Sequence, residues 1–318
     1  MPKEIHDAAH GGKGWLPRKT SLLKEIGNVW GTCGVATEWS GLEAVLMHRP
    51  GPEIESISDA NKTLMSAIPE PILTRHQHDN LAKKYRNFGA NVFYIEPRDT
   101  PPPNLMFVAD LFFMTPEGAI LARPASIVRA GEERFVARKL AELGIPILRC
   151  VRGEGVFEGA DASWIDSRTV ILATGLRTNS DGANQVTSIL KEMGVDVVSV
   201  RLPKEAMHLM GTFRLVDEDL AICWKEHTPK TAVKALKDFG KDVVFISGGK
   251  EVRLGMALNF VVLEPKRIIM PAGNPNTESF LKNLGIKCLT VEVNELHKAS
   301  GGIGCLSGIL KRDQSGAG

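Results

Sequence analysis

Apolar residues recur along the chain in one pattern that repeats about every 50 residues. Each copy begins with an amphipathic helical stretch, passes through a glycine and continues into a run rich in Val and Ile. The glycine suits the left-handed position that ends a helix, and the run after it has the composition of a strand. The five copies centre on Gly89, Gly144, Gly194, Gly240 and Gly285. The pattern therefore predicts a helix followed by a strand, five times over.

A pair of shorter apolar runs around a polar turn follows four of these strands, which is typical of a β-hairpin. The turns are predicted at residues 116–118, 166–167, 217–219 and 265–266. A loop then leads into the next amphipathic helix, as at Glu132–Leu143 and Thr277–Leu284. Each unit thus reads as strand, strand, helix, strand, which resembles one blade of a propeller.

The fifth unit is split between the two ends of the chain. A β run at residues 43–51 has no partner before it, and a β run at Ile303–Leu310 has no partner after it. Pairing these two runs would complete the unit and close a ring. We therefore predict an α/β fold, a five-bladed α/β propeller over residues 41–318, closed by its terminal strands and preceded by an N-terminal extension or lid at residues 1–40. Two ordinary α/β domains meeting near residues 153–159 remain the alternative.

Composition narrows the class of protein further. The 318 residues include 39 Lys and Arg against 37 Asp and Glu, a net charge of +2, without the basic excess of a nucleic-acid-binding protein. Neither a membrane-spanning apolar stretch nor a signal-peptide core is present in the sequence. The five cysteines are scattered and odd in number, which is typical of reduced thiols in the cytoplasm. We expect a cytoplasmic protein that acts on a small molecule.

Polar side chains collect in the connections that precede the hairpins, at the same phase of successive units. In a closed propeller these connections would meet at one end of the axis. They would bring together a candidate nucleophile, Cys305, a candidate base, His208, and the carboxylates of Asp110, Glu158 and Asp161. A cysteine, a histidine and an acid from separate parts of the chain make a site for covalent catalysis. The connection at residues 255–259 carries no ionisable group.

Each of these residues also has a structural interpretation. Cys305 could be a small buried apolar residue, and His208 could be a core histidine with satisfied hydrogen bonds. The three carboxylates could cap backbone amides beside the neighbouring glycines. His297, eight residues before Cys305, is a rival candidate for the base, in a stretch that has the polarity of a solvated loop.

Other features give no support for a metal or cofactor. The pairs His76 and His78, and His6 and His10, have no cysteine or acid partner at ligand spacing. The sequence contains no phosphate-binding loop and no dinucleotide-binding glycine motif. We expect neither a metal nor an organic cofactor.

Several of these connections resemble the motifs of known enzymes. Residues 104–110 resemble the Asn-x-x-Phe-x-Arg-Asp motif of arginine deiminases, and residues 158–161 resemble their Glu-Gly-Gly-Asp motif. His208 falls at the His-Leu motif, and residues 301–305 at the Gly-Gly-x-x-Cys motif. Residues 175–184 are similar to a segment of dimethylarginine dimethylaminohydrolases. The chain is identified as a member of the guanidine-modifying enzyme superfamily, whose fold is the five-bladed α/β propeller called a pentein.

The resemblance implies a role for each matching residue. Cys305 would be the nucleophile and His208 the general acid and base, with Glu158 orienting the histidine. The remaining matches would bind substrate: acids at the guanidinium, and Asn104, Phe107 and two arginines around the rest of the molecule. These binding residues are Asp110, Asp161, Asn104, Phe107, Arg129 and Arg177.

Three departures from the deiminase pattern bear on the substrate. Ala109 replaces the Arg of the Arg-Asp pair, Met210 replaces a second Asp, and Gly304 replaces the His before the cysteine. An apolar Met at that place would tolerate an N-alkyl group, so the resemblance favours the dimethylaminohydrolase branch. The expected reaction is hydrolysis of a guanidino amino acid through a covalent thiouronium, giving a ureido product and ammonia or an alkylamine.

Other functions remain open at this point. An amidinotransferase would form the same intermediate and pass it to an amine. A hydrolase of a ureido or amidine substrate is a second alternative, and a non-catalytic binding propeller is a third. Exposed blade edges make a homodimer plausible.

Overall fold

A computed structural model describes residues 7–314 of the chain. His6, one of the histidines considered for a metal site, lies outside the described residues. Among residues 7–314 no helix has both the length and the apolar character needed to cross a membrane.

The described residues form a mixed α/β fold with fifteen strands in five three-stranded sheets. In chain order the strands are β1 Leu42–Met47, β2 Asn91–Tyr94, β3 Phe112–Thr115, β4 Gly118–Leu121, β5 Ile147–Cys150, β6 Ala162–Asp166, β7 Thr169–Thr174, β8 Asp196–Arg201, β9 Phe213–Leu215, β10 Leu220–Trp224, β11 Asp242–Ile246, β12 Val261–Glu264, β13 Arg267–Pro271, β14 Lys287–Val291 and β15 Gly308–Arg312.

Five longer helices join the strands, and short helical turns lie between them. The longer helices are Pro71–Phe88, Glu133–Glu142, Ser180–Glu192, Lys230–Asp238 and Pro275–Asn283. Short α-helices span Leu22–Glu25, Lys250–Arg253, Asn294–His297 and Ile303–Leu306, and 3₁₀ turns span Asp7–His10, Pro52–Ile54, Asn61–Thr63, Val108–Asp110, Ile127–Arg129, Gly159–Asp161 and Leu209–Gly211.

Each sheet repeats one topology. A hairpin of two antiparallel strands is followed by a long helix and a third strand, parallel to the second, as in β3–β4–β5, β6–β7–β8, β9–β10–β11 and β12–β13–β14. Strands β1 and β2 are the parallel pair of the remaining sheet, and β15 pairs antiparallel with β1, placing Val45 opposite Ile309. The predicted unit and the predicted pairing of the terminal runs are therefore present.

The five repeat glycines lie just past the ends of the long helices, as predicted. Their φ angles are 106°, 68°, 74°, 74° and 78° in chain order, from Gly89 to Gly285. A residue with a Cβ is strained in this left-handed region, so glycine lets the chain reverse from each helix directly into the third strand. The glycine that marks each repeat in the sequence is therefore required by the backbone conformation of the turn between helix and strand.

The first strands of three hairpins, together with β15, line a cavity of about 70 Å³, called the central cavity below. Side chains from β3, β6, β9 and β15 line this central cavity, together with Val35 and Glu38. Around it, β15 contacts β3, β3 contacts the turn before β6, β6 contacts the turn before β9, and β1 contacts β12. The hydrogen bond from the Lys266 backbone amide to the Val216 carbonyl oxygen links the third and fourth hairpins, β9–β10 and β12–β13. The turns that precede the first strands therefore lie near one another.

One sequence prediction about the last β run was wrong. Residues 303–306 form a short helix, and the strand begins only at Gly308. The amide of Leu306 donates to the carbonyl of Gly302, and the amide of Gly304 donates to that of Asn259, so this part of the chain is coiled against residue 259 instead of extended. This short helix buries the apolar residues Ile303 and Leu306. A short run of apolar residues can form either a strand or a helical turn, so the pattern alone does not tell the two apart.

Candidate active site

Four of the predicted site residues lie in or next to short helical turns that directly precede strands. Asp110 ends the turn before β3, Asp161 ends the turn before β6, and His208 is the N-terminal cap of the turn before β9. Cys305 lies in the short helix before β15. These segments therefore occupy equivalent positions in successive repeats, as predicted.

A close backbone approach brings the first two turns together. A Cβ on Gly159 would come within 2.6 Å of the Ala109 carbonyl oxygen, which is closer than real Cβ contacts permit. Glycine at position 159 therefore lets the chain that carries Glu158 pack directly against the chain that carries Asp110. The site depends on this contact as much as on its polar side chains.

A narrow cavity of about 30 Å³ collects most of the predicted site residues. Its lining side chains come from six segments of the chain: Leu64, Asn104, Phe107, Asp110, Arg129, Arg177, Met207, His208, Ala299, Ser300, Gly301 and Cys305. Glu158 and Asp161 are not among them. Both are fully buried and lie behind His208.

Glu158 fixes the orientation of His208. Its Oε2 lies 2.7 Å from Nε2 of the imidazole, which leaves Nδ1 directed towards Asp110, 3.9 Å from Oδ1. Burial opposes the charge on His208, but Asp110, the hydrogen bond to Glu158 and Asp161 outweigh it and raise the pKa of the histidine to about 9. The imidazole is therefore protonated at neutral pH, as a general acid must be.

The two carboxylate oxygens of Asp161, predicted to bind the guanidinium, instead accept hydrogen bonds from the protein. Its Oδ2 accepts a hydrogen bond of 2.7 Å from the Thr178 hydroxyl, and its Oδ1 accepts one of 3.1 Å from the Leu209 amide. Burial raises its pKa to about 6. Both oxygens are thus engaged beneath the residue that follows His208.

Arg129 lies in a buried cluster of acids. Its Nη1 is 2.6 Å from Asp110 Oδ2 and 3.5 Å from Glu158 Oε2, and its Nε donates to Glu132 Oε2 at 2.9 Å. Burial raises the pKa of Glu132 to about 7. Arg129 therefore neutralises the acids of the site, and Oδ1 of Asp110 is left without a hydrogen-bond partner.

Asn104, Arg177 and Phe107 complete the predicted binding residues at the cavity. The Asn104 amide nitrogen donates to the Thr63 carbonyl oxygen at 2.8 Å, which ties it to the segment that carries Leu64. Arg177 lies 3.4 Å from Glu158 Oε1 through Nη1, and its buried Nε has no partner. Phe107 packs over Gly301, where a side chain would collide with its ring.

Asn259 is a site residue that the sequence analysis missed. Its amide nitrogen donates to Cys305 Sγ at 3.0 Å, and its amide oxygen accepts from the Cys305 backbone N–H at 3.2 Å. The pKa of the Cys305 thiol is raised above its ordinary value, because burial and the charge of Asp110 outweigh the Gly302 amide, Asn259 and Arg214, which lower it. Asn259 is the last residue of the connection at residues 255–259, which has no ionisable group and therefore gave no candidate catalytic residue. The sequence signal for it was its position, which is equivalent in the repeat to the connections that carry the other site residues.

Two residues singled out from the sequence lie away from this cavity. His297 is in the short helix Asn294–His297, and burial lowers its pKa to about 4. Met210 lines the central cavity and is not among the residues that line the cavity of Cys305, so a contact between its side chain and a substituted substrate nitrogen has no support from this lining. The turn that begins at His208 rotates successive side chains to different sides, which the order of residues alone does not reveal.

Asp110, Glu158 and His208 have ligand atoms within 4.8 Å of one another, the one such group among residues 7–314. Arg129 already lies beside both carboxylates, and its positive charge supplies what a metal ion would supply. The donor set therefore fits a guanidinium better than a metal ion.

This fold of five repeated sheets, with a cysteine, a histidine and acids converging before their first strands, defines a guanidine-modifying enzyme. The profile of a family described as N,N dimethylarginine dimethylhydrolase, eukaryotic, matches residues 63–308. The chain belongs to that family and is a guanidino-group hydrolase of the wider superfamily, acting on carbon–nitrogen bonds.

Individual relatives agree with this placement. The N(G),N(G)-dimethylarginine dimethylaminohydrolase of Pseudomonas aeruginosa is 25% identical over 239 residues, covering 75% of this chain and 89% of the relative. The enzyme of the same name from Streptomyces coelicolor is 28% identical over 235 residues, covering 74% and 85%.

Solved structures share the fold. A Pseudomonas aeruginosa dimethylarginine dimethylaminohydrolase variant in complex with citrulline has a TM-score of 0.71 at 21% identity, covering 84% of this chain and 99% of that one. An amidinotransferase from Microseira wollei has a TM-score of 0.73 at 16% identity, covering 88% and 97%.

Proposed function

We propose that the chain is a cysteine-dependent hydrolase of a guanidino amino acid, N-alkylated at the guanidinium, that forms a covalent intermediate on Cys305. The observation that carries this proposal is that Cys305, His208 and Asp110 line one cavity, with Glu158 held 2.7 Å behind the imidazole. We further propose that the five sheets are blades of a closed propeller over residues 41–318, with residues 1–40 as an N-terminal extension or lid.

Asp110 is the group that receives the guanidinium. Its Oδ2 is held by Arg129, which leaves the buried Oδ1 free to accept from a substrate nitrogen. A guanidinium bound there adds a positive charge beside Cys305 and favours the thiolate. Asp161, with both oxygens engaged, supports the turn of His208 from behind rather than touching the substrate.

The rest of the substrate is bound by charge and apolar contact. Arg177, with its unpartnered Nε, supplies a donor for the carboxylate of an amino acid. Leu64, Phe107 and Met207 line the same cavity and offer apolar surface for an N-alkyl substituent. This apolar lining, in place of Met210, supports a substituted guanidine.

The reaction proceeds in two halves. The thiolate of Cys305 attacks the guanidinium carbon, forming a C–S bond, while the C=N electron pair moves onto nitrogen. His208 protonates the departing amine, which leaves with the C–N bonding pair and gives a thiouronium. Water then adds to this carbon as His208 accepts its proton. The C–S bond then breaks towards sulfur as the carbon–oxygen double bond forms and the remaining hydroxyl proton passes to solvent. This releases the ureido product and restores the thiolate.

The test is turnover of a substrate panel by the full chain and by Cys305→Ser. Arginine, methylated arginines, citrulline and short guanidino acids are scored for released amine and ureido product, with and without an amine acceptor. We expect hydrolysis of a methylated guanidine, a covalent adduct on the wild-type chain by intact mass, and neither in Cys305→Ser. Cys150→Ser, which changes an exposed thiol, is the matched control and retains activity.

Full turnover in Cys305→Ser would contradict the proposal. Inactivity of the wild type on every guanidine would overturn the substrate class. Product formation only in the presence of an amine acceptor would replace hydrolysis with amidino transfer.

A further inference from the structure

The turn that carries Cys305 separates two cavities. Cys305 itself lines the site cavity, whereas Ser307 and Gly308, two and three residues later, line the central cavity. The central cavity contains three charged side chains, Glu38, Arg214 and Arg312. The proposed nucleophile is therefore placed between the substrate on one side and a charged interior space on the other.

Arg214 has a cationic group that is not fully satisfied there. Its Nε donates to the Leu258 carbonyl oxygen at 3.3 Å, and its guanidinium carbon lies 5.9 Å from the centre of the Phe260 ring. Its Nη2 is buried and has no hydrogen-bond partner. Leu258 directly precedes Asn259, the residue that donates to the Cys305 sulfur, so Arg214 is attached to the segment that holds the nucleophile.

Gly304 brings this guanidinium up to the backbone next to Cys305. A Cβ at position 304 would collide with Arg214 Nη2, and it would lie 2.7 Å from Asn259 Oδ1 and 3.2 Å from Met210 Sδ. The space that a side chain before the cysteine would fill is thus filled by Arg214. The absence of a side chain at Gly304 is therefore what leaves room for the unpartnered Nη2 of Arg214.

We propose that Arg214 is a positioning residue that stabilises the thiolate form of Cys305 from the side opposite the substrate. A positive charge in a buried space acts strongly because little water is present to screen it. This inference rests on the proposed function, in which Cys305 is the nucleophile.

Charged groups face Cys305 from both cavities. Asp110, His208, Arg129 and Arg177 line its cavity on the substrate side, and Arg214 faces it from the central cavity. Burial and Asp110 raise the pKa of the thiol, and Arg214 is the side-chain cation that lowers it. Arg129 and Arg177 are paired with Asp110 and Glu158, so without Arg214 the thiolate would be opposed by burial and Asp110 and would depend chiefly on His208 and on the incoming substrate.

Glu38 partly offsets the effect of the Arg214 charge on the Cys305 thiolate. Its Oε1 accepts from the Trp164 amide at 3.1 Å, and its charge acts on both Arg214 and Arg312. Arg312 is committed elsewhere, since its Nη1 donates to the carbonyl oxygens of Ser40 and Val262. Removing the Glu38 charge would leave Arg214 less compensated, and would favour the thiolate.

The experiment measures the pH dependence of Cys305 alkylation by iodoacetamide in the full chain without substrate, followed by peptide mapping. We expect Arg214→Gln to move the midpoint up by about one pH unit, so that alkylation is about tenfold slower at a fixed pH below it. Arg214→Lys should keep most of the wild-type rate, and Glu38→Gln should move the midpoint down. Arg312→Lys, in the same cavity, is the matched control and should leave it unchanged.

An unchanged midpoint in a folded Arg214→Gln variant would overturn the inference, as would an equal shift in Arg312→Lys. If Arg214→Gln does not fold, Glu38→Gln decides, because a merely structural Arg214 predicts no downward shift. Alkylation needs no substrate, so these outcomes are independent of the turnover assay. An unchanged alkylation midpoint in Arg214→Gln, together with an inactive Cys305→Ser, would overturn the role of Arg214 and still support the proposed function.

Discussion

Glu158 Oε2 and His208 Nε2 are 2.7 Å apart although fifty residues separate them in the chain. Both are buried, and the contact is made because each residue stands just before the first strand of neighbouring sheets. The pKa of Glu158 is lowered to about 2: burial opposes ionisation, but the hydrogen bond and charge of His208 prevail, with help from Arg129 and Arg177. The pair is therefore a carboxylate holding an imidazolium.

Glu158→Gln should weaken catalysis through the histidine. The amide lacks the negative charge that keeps His208 protonated, so the pKa of the histidine should fall from about 9. We expect kcat to drop about 100-fold, in the range of a lost general acid, and the alkaline limb of the pH–rate profile to move to lower pH. The pH dependence of turnover measures both.

The rival histidine provides the control for that experiment. His297→Asn should leave the alkaline limb where it is, because His297 does not line the cavity and burial already lowers its pKa to about 4. A shift of the limb in His297→Asn, but not in Glu158→Gln, would reverse the assignment.

Asn259→Ala should disorder the nucleophile without removing it. The substitution deletes the donor to Cys305 Sγ and the acceptor for its backbone amide. We expect turnover about tenfold lower and stability lower by about 1 kcal/mol, the scale of a lost hydrogen bond. Kinetics and thermal unfolding of the full chain test this. Asn276→Ala, whose exposed side chain bonds to Glu251, is a matched control; equal effects of the two on turnover would refute the role of Asn259.

Asp161→Asn should change the pH dependence of stability. Burial raises the folded-state pKa of Asp161 to about 6, above its ordinary 3.8, so its ionisation destabilises the fold as pH rises from about 4 to above 6. The Asn variant does not ionise and can still accept from the Leu209 amide. We expect it to gain about 2 kcal/mol relative to wild type at pH 8 compared with pH 4. Equal pH dependence of the two melting temperatures would contradict this.

Gly159→Ala should be strongly destabilising because its methyl group would collide with the carbonyl oxygens of Phe112 and Ala109. Backbone must move to admit it, so we expect a loss of more than about 3 kcal/mol, or failure to fold. Gly194→Ala is the control: its φ is 74° but nothing lies near its Cβ position, so strain alone costs about 1 kcal/mol. Chemical denaturation compares them, and similar losses would count against the close approach.

The sequence by itself determined the repeat. A helix end, a left-handed glycine and a β run are local requirements, so Gly89, Gly144 and their counterparts could be recognised without knowing what they pack against. The phase of the repeat then placed Cys305, His208, Glu158 and Asp110 in equivalent connections, and the structure brings them together.

Only the tertiary structure decided how the other side chains are used. Asp161 turns behind His208, Arg129 neutralises Asp110, and Met210 and Arg214 face the central cavity, although the sequence places all of them near motif residues. A turn of two or three residues rotates neighbouring side chains to opposite sides, and hydrogen bonds between sheets then fix each one. Asn259 shows the same limit, because its two bonds to Cys305 join residues 46 apart and require both turns to be in place.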